Sequence, residues 1–338
     1  MMILTNGLSE KADEGFLKVA NSLVKRIKHH DPKDVCVVTY DRRSDISDIH
    51  IHANKLLISR ELISLLRDRK EEVLYIPFPA KPIATSLRVL LLSFFARRGL
   101  RVIWVQKASL NLVSRIMIKL SRAKIVVLSK ESKDYFSSVV REERVCYLKT
   151  GVDTDRFTPV TPETQASLKQ KYGLDPDRPV VLHVGHLKQG RNIAQLLKLD
   201  QHNQILLVIS TLFQNDTDEE LRARLLDAPN VRLIEEYVSD IQEIYQLSDV
   251  YFFPVVESGN CIDVPLSCLE AAACNKPIVT TEYGEMREFL GKEGFSFIDS
   301  FDADRLNRLI SEGLSSANTD VRSSMLEYDW NRFFDTSI

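Results

Sequence analysis

One carboxylate in an otherwise apolar stretch of this chain is the clearest candidate for chemistry. Glu270 stands within the sequence CLEAAAC, part of a segment whose pattern predicts a short helix over residues 266–274. Burying a carboxylate there without a partner would cost several kcal/mol. We therefore expect Glu270 to meet a hydrogen-bond donor, and the hydroxyl groups of a ligand would serve.

The predicted elements around this helix direct a loop to its N-terminus. Two runs with almost no polar residue, Val250–Pro254 and Pro277–Thr281, flank it and are typical of parallel strands covered on both faces. Pro265 fits a helix start, because the N–H that it lacks is not needed there. Open α/β sheets bind anionic ligands at such places. The Ser267 side chain and the N–H groups of Leu266 and Ser267 are candidates to cap a phosphate; an ordinary first helical turn is the alternative.

Three sequence blocks in order carry a resemblance to a known family. Residues 249–284 resemble the donor-sugar signature of the retaining family 4 (group 1) glycosyltransferases, which have the GT-B fold. Residues 149–159, KTGVDTDRFTP, resemble the link between the domains of these enzymes, and residues 184–193, VGHLKQGRNI, resemble their Val-Gly-Arg-Leu block. Together the blocks are a specific match, whereas any single one would be weak. In the first block the matching positions are Asp249, Pro254, Leu269, Glu270, Ala271, Ala273, Cys274, Pro277, Val279 and Thr281.

The resemblance implies a nucleotide-sugar donor whose diphosphate gains charge as the glycosidic bond breaks. Cations and oriented N–H groups can meet this charge without a metal ion. Next to Gly185, the positions of the family's phosphate-binding Arg and Lys hold His186 and Arg191. A guanidinium binds phosphate well, so Arg191 is a suitable replacement. His186 is fully charged only below about pH 6.5, and it can alternatively be packed at a strand end.

The family's acidic pair is altered in this chain. The resemblance places Glu270 as the second acid, which holds the nucleotide ribose, and the position of the first acid is Ile262. Because isoleucine cannot serve, Asp263 is the preferred candidate for the sugar hydroxyls and for a catalytic role. Glu257, in what would be an enlarged loop, is the second candidate. Either carboxylate can instead be a solvated loop residue.

The first half of the chain also departs from the family. Its members commonly carry a histidine beyond a central strand, near the transferred sugar, and here Gln106 follows the predicted strand Val102–Val105. Gln106 can donate a hydrogen bond to a sugar hydroxyl, or it can be a simple strand-end residue. Asn6, Gly7 and Gly15 match the family's loop after the first strand, where the backbone approaches donor phosphate and acceptor. Plain turn chemistry is the alternative.

Alternating strand and helix patterns run through all 338 residues and predict a doubly wound parallel sheet in each half. With the resemblance, this predicts the GT-B fold, two Rossmann-like domains facing across a cleft. We expect an acceptor-binding domain over 1–160, a nucleotide-sugar-binding domain over 161–322, and a helix over 323–338 that returns to the first domain.

Composition argues against several other classes of protein. No run of 18 apolar residues predicts a transmembrane helix, and the start MMILTNGLSEK lacks the regions of a signal peptide. The five cysteines form no C-x-x-C pair and favour reduced thiols in the cytoplasm. Neither metal-ligand spacing nor a nucleic-acid-binding motif is present, and the net charge is −2.

One segment has an unbalanced charge. Residues 81–124 hold ten Lys or Arg and no Asp or Glu. Apolar faces combined with basic residues can lie on anionic lipid headgroups, so we expect this segment to contact the inner face of the membrane. The alternatives are that its apolar runs are core helices and that its basic residues frame an anionic ligand.

The sequence thus predicts a retaining, metal-independent glycosyltransferase that moves a sugar to a hydroxyl of a glycan or lipid-linked acceptor. No cofactor is implied, because the nucleotide sugar is a substrate. The alternative is a catalytically inactive nucleotide-sugar-binding partner of an active glycosyltransferase. The altered positions His186, Ile262 and Gln106 keep that alternative open.

Overall fold

The computed structural model of the chain describes residues 1–6, 8–9, 15–31, 34–40, 43–54, 56–57, 59–69, 71–78, 81–105, 109–149, 151–209, 217–257, 259–316 and 319–332. The chain divides into two compact units, one formed by Met1–Lys149 with Trp330–Ile338 and the other by Thr150–Asp329.

The first unit contains a seven-stranded parallel sheet in the order β3-β2-β1-β4-β5-β6-β7. Its strands are β1 Met2–Thr5, β2 Cys36–Tyr40, β3 Ile49–Ile51, β4 Val73–Ile76, β5 Leu100–Trp104, β6 Lys124–Val127 and β7 Val145–Tyr147. Its helices are α1 Gly15–His30, α2 Arg60–Asp68, α3 Pro82–Phe95, α4 Leu112–Leu120 and α5 Lys130–Val139. Strands β1, β2 and β4 are buried at every position, as parallel strands covered on both faces must be.

The second unit contains a six-stranded parallel sheet in the order β10-β9-β8-β11-β12-β13. Its strands are β8 Val180–Gly185, β9 Gln204–Ile209, β10 Val231–Ile234, β11 Val250–Phe253, β12 Ile278–Thr280 and β13 Phe295–Phe297. Its helices are α6 Pro162–Lys171, α7 Glu219–Asp227, α8 Ile241–Leu247, α9 Leu266–Ala273 and α10 Ala303–Ser315. The predicted doubly wound α/β halves are confirmed, and each predicted strand lies within two residues of an observed one.

Five helices begin with a capping side chain, whereas α3, α8, α9 and α10 begin without one. Side chains accept a hydrogen bond from the backbone N–H three residues later at Ser59, Asn111, Ser129, Thr161 and Asp218. Helix α9 follows Pro265 and has no side-chain cap. Its first turn therefore presents N–H groups that no capping side chain satisfies.

The observed unit boundary lies between residues 149 and 150, ahead of the predicted 160/161. The reason is that the linking segment is bound to the second unit. The N–H and hydroxyl of Thr154 donate to Asp329, and Arg322 donates to the carbonyl oxygens of Thr154 and Phe157.

The final segment differs from the helix predicted over 323–338. A 3₁₀ turn spans Arg322–Tyr328 and stops at Asp329, which pairs in parallel with Val152. Beyond it, the Asn331 side chain accepts a hydrogen bond from Arg26 of the first unit at 3.1 Å, and residues 333–338 lie outside the described part of the chain.

Candidate functional site

The order of the second sheet reverses between β8 and β11. Open α/β sheets bind ligands at such a switch point, outside the carboxyl ends of the strands. The loops that follow these two strands, residues 186–192 and 254–265, flank this point, and Asn192 Nδ2 donates to the Pro254 carbonyl at 3.3 Å. The fold therefore joins the two segments that the sequence analysis singled out separately.

Arg191 brings a buried positive charge to the switch point. The residue is 5% exposed, and its guanidinium lies so close to Gly185 that an added Cβ there would be 2.7 Å from Arg191 Cζ. Within the described residues Arg191 forms no ion pair, and its buried Nε has no hydrogen-bond partner. A buried cation without a counter-ion is costly, and a phosphate would supply both charge and acceptor. Phosphate binding by Arg191 stays a prediction, with geometry that favours it.

His186 lies directly after β8 and is half-buried. Its carbonyl oxygen accepts a hydrogen bond from the N–H of Lys188 at 3.1 Å, which shapes the turn toward Arg191. The structure thus places the side chain of His186 at the strand end that borders the switch point. Phosphate binding by His186 stays a prediction.

A second histidine, which the sequence analysis missed, lies inside β8. His183 is fully buried between the rings of Tyr251 and Phe253, with its Nδ1 2.8 Å from the carbonyl oxygen of Phe252. Because a carbonyl only accepts, Nδ1 carries the proton and Nε2 is an acceptor; no described residue donates to it. Burial, and then the charge of Arg191, lower the pKa of His183 to about 3. His183 is therefore neutral at physiological pH.

This lowered pKa predicts a specific acid sensitivity. Below about pH 6.5 the unfolded chain binds a proton at this histidine that the folded chain does not bind until its pKa of about 3. The folded state therefore loses stability as pH falls through this window, by up to about 1.4 kcal/mol per pH unit. We expect the variant His183→Asn to lack this component in urea unfolding at pH 7 and pH 5. Equal pH dependence in variant and wild type would contradict the prediction.

Glu270 lies one turn beyond the uncapped start of α9. It is 5% exposed, and its Oε2 accepts a hydrogen bond from the Tyr245 hydroxyl at 2.6 Å. The donor that the sequence analysis expected is therefore present within the protein. The N-terminal residues Leu266 and Ser267 precede Glu270 by four and three positions, which is the spacing of one helix face. Ribose binding by Glu270 and phosphate binding by the first turn stay predictions.

The two candidate sugar-binding acids differ in their surroundings. Asp263 is buried, and its carbonyl oxygen accepts from the N–H of Glu285 at 2.9 Å. Glu257 is exposed on the loop after β11. Ile262, at the family's first acidic position, is buried in the core. The backbone of Asp263 is thus held by a hydrogen bond, whereas Glu257 is exposed to solvent.

The candidates of the first unit are only partly described. Asn6 is buried at the carboxyl end of β1, and Gly15 is the first residue of α1. The first sheet reverses its order between β1 and β4, so Asn6 borders its switch point. Gly7 and Gln106 lie outside the described residues, and their roles stay predictions.

A groove of about 790 Å³ opens beside the edge strand β10. Its lining includes Arg232, Tyr237 and Val238. The sequence analysis assigns no role to this groove.

Among the described residues, no group of three or more His, Cys, Asp or Glu side chains is arranged to hold a metal ion. None of the described helices has the length and apolar character needed to cross a membrane.

Comparisons with known proteins point to one family. Residues 164–328 match the family model described as glycosyl transferases group 1. A GDP-mannose-dependent phosphatidylinositol monomannoside mannosyltransferase of Corynebacterium glutamicum is 27% identical over 179 residues, 49% of this chain and 46% of the relative. The putative glycosyltransferase EpsD of Bacillus subtilis is 27% identical over 152 residues, 43% of this chain and 39% of the relative. The matches thus span less than half the length of these curated relatives.

Solved structures show the fold. HepE of Anabaena, in complex with UDP and glucose, superposes with a TM-score of 0.74 at 14% identity, covering 98% of this chain and 96% of HepE. A glycosyltransferase from Rickettsia africae has a TM-score of 0.74 at 16% identity, covering 99% and 96%. WaaG, a glycosyltransferase of lipopolysaccharide biosynthesis, has a TM-score of 0.69 at 14% identity, covering 98% and 96%. The predicted GT-B fold is confirmed.

Proposed function

We propose that the chain, whose residues 164–328 match the family model of the group 1 glycosyltransferases, is a family 4 glycosyltransferase that retains the anomeric configuration. It moves a sugar from a nucleotide sugar to a hydroxyl of a glycan or lipid-linked acceptor, and it needs neither a metal ion nor a cofactor. The observation that carries the proposal is the buried Arg191 guanidinium against Gly185 at the switch point, for which the described residues supply no counter-ion.

A ligand bound to one similar protein and the name of another support this substrate class. HepE has been crystallised with UDP-glucose, and the Corynebacterium relative is named for GDP-mannose and a phosphatidylinositol mannoside. Both donors are nucleotide diphosphate sugars, and they differ in base and sugar. The shared chemistry is a diphosphate, which Arg191 and the N-terminus of α9 suit. The base and the sugar that this chain takes are left to experiment.

The proposed reaction assigns few tasks to the protein. The acceptor oxygen forms a bond to the anomeric carbon while the bond from that carbon to the phosphate oxygen breaks. The proton of the acceptor hydroxyl passes to the leaving phosphate oxygen on the same face of the sugar. Arg191, His186 and the first turn of α9 stabilise the charge that develops on the phosphate. Asp263 and Gln106 orient the sugar hydroxyls.

A donor screen tests this proposal. We expect one of the UDP-, GDP- or ADP-sugars to raise the thermal unfolding midpoint and to be hydrolysed slowly, with no effect of EDTA. Loss of turnover in EDTA would refute metal independence. Stabilisation without turnover, even with glycan and lipid acceptors added, would instead indicate the inactive nucleotide-sugar-binding partner. No stabilisation by any donor would refute a donor site.

We further propose that the protein acts in the cytoplasm, with α3 and α4 on the inner face of an anionic membrane. These two helices pack against each other and carry large apolar side chains in solvent, with Phe94 72%, Leu112 73% and Leu120 66% exposed. About half of the surface of three further side chains on these helices is exposed, those of Ile83, Val113 and Ile116. Residues 81–124, which contain both helices, hold ten Lys or Arg and no Asp or Glu. Exposed apolar side chains on a segment that carries only basic charges suit a surface of anionic lipid.

Vesicle co-sedimentation tests this surface. The triple variant with Phe94, Leu112 and Leu120 changed to serine should bind phosphatidylglycerol vesicles at least tenfold more weakly, because each buried apolar side chain contributes roughly 1.5–3 kcal/mol. Leu226→Ser is the matched control, since Leu226 is 52% exposed on α7 of the other unit and should leave binding unchanged. Equal binding of triple variant and wild type, or no preference for anionic over phosphatidylcholine vesicles, would refute the membrane surface.

A further inference from the structure

Tyr245 donates a hydrogen bond to Glu270, the buried carboxylate of α9. It lies in α8, is fully buried, and donates its hydroxyl proton to Glu270 Oε2 at 2.6 Å. A short hydrogen bond from a neutral hydroxyl to a carboxylate is among the stronger kinds in proteins. Burial, followed by the nearby charge of Glu270, raises the pKa of Tyr245 far above its ordinary value. Tyr245 therefore keeps its proton and always acts as the donor.

The ring of Tyr245 is held from two sides. Phe157, from the segment that links the two units, meets it edge-on at 5.6 Å between ring centroids. The ring centroid of Tyr251, on β11, lies 5.9 Å from that of Tyr245. The hydroxyl position is thus set by packing, because an aromatic side chain with two torsions fixed by neighbours cannot move its tip.

A second buried tyrosine extends this support to the phosphate side. The Tyr251 hydroxyl lies 3.3 Å from both the N and the O of Val184, the residue before Gly185, and it also contacts the Ser267 side chain. The two tyrosines, whose ring planes are tilted by 44°, therefore join the carboxylate of Glu270 to the end of β8 and to the first turn of α9.

We propose that Tyr245 is a positioning residue, which fixes the plane of the Glu270 carboxylate so that it meets the ribose hydroxyls of the donor. This rests on the proposed function, in which Glu270 binds the ribose. A tyrosine that only satisfied its own hydroxyl would stabilise the fold and would not affect ligand choice. A positioning tyrosine affects specifically the part of the affinity that depends on ribose hydroxyls.

Nucleotides with and without ribose hydroxyls distinguish a positioning role of Tyr245 from a purely structural one. Titration calorimetry would compare UDP, GDP and ADP with their 2′,3′-dideoxy forms, and the readout is the ratio of the two dissociation constants. In the wild type we expect about a tenfold preference for the hydroxylated form, as loss of hydrogen bonds to a charged group implies. Tyr245→Phe, which keeps the ring and its packing, should reduce the ratio to within about threefold. Glu270→Gln should reduce it similarly, and the double variant should reduce it no further.

Tyr328→Phe is the matched control. Tyr328 is also buried in the second unit, and its hydroxyl lies 3.4 Å from Glu285 Oε1. This variant should keep the wild-type ratio. A folded Tyr245→Phe protein with the wild-type ratio would overturn the proposal, and so would a wild type that does not distinguish the two forms. A wild type that binds no nucleoside diphosphate would instead refute the proposed function itself.

Discussion

Replacing Arg191 with methionine should weaken nucleoside diphosphate binding about 100-fold, because charge-assisted hydrogen bonds to phosphate are each worth about 1.5–3 kcal/mol. Methionine keeps the apolar stem of the buried side chain and removes the guanidinium that lies on Gly185. Calorimetric titration with UDP, GDP and ADP measures the loss. Binding of the corresponding nucleosides, which carry no phosphate, should change little.

The stability of this variant distinguishes loss of a binding group from misfolding. Arg191 forms no ion pair with the described residues, so its removal should leave the unfolding midpoint unchanged or raise it. Arg305→Met is the control: Arg305 lies on α10, its partly exposed guanidinium pairs with Asp299 at 2.7 Å, and its loss should leave nucleoside diphosphate affinity unchanged. Unchanged affinity in Arg191→Met would exclude this residue from the phosphate site.

The strands were predictable because the physical signal is local. Runs such as VYFF in β11 and QILLVI in β9 are buried on both faces, and continuous apolar character marks such strands directly. Arg191 and Glu270 were also found from sequence, since a guanidinium at the family's spacing and a carboxylate among alanines stand out. The sequence identified Arg191 and Glu270 as candidates, and the structure adds that both side chains are buried.

The partners of these residues were not predictable. Tyr245 stands in QEIYQL, where an aromatic residue is ordinary core for an amphipathic helix, and its bond to Glu270 depends on how α8 packs beside α9. His183 in VVLHVG carries the same kind of signal as Glu270, since each is a lone polar residue in an apolar element, but its contact with the Phe252 carbonyl depends on the pairing of β8 with β11. The contacts of Asp263 and Glu257 depend on a loop, where no periodic pattern fixes side-chain direction.

Gly284→Ala should strongly reduce the stability of the second unit. Gly284 has φ +52°, and an added Cβ would overlap the carbonyl oxygen of Asp263. That oxygen accepts the N–H of Glu285 at 2.9 Å, so it cannot withdraw without breaking this hydrogen bond. Left-handed backbone strain and overpacking together should cost on the order of 4 kcal/mol. The urea midpoint of the second unit measures the loss.

Gly291→Ala separates the two causes of that loss. Gly291 has a similar φ of +74°, and an added Cβ there would meet nothing within 4 Å. This variant should therefore show only the backbone strain, about 1 kcal/mol. The difference between the variants reports the contact with Asp263 alone. If Gly284→Ala retains its fold, displacement of Asp263 should reduce sugar transfer far more than nucleoside diphosphate affinity. Equal costs for the two variants would show that the Asp263 carbonyl does not restrict this position.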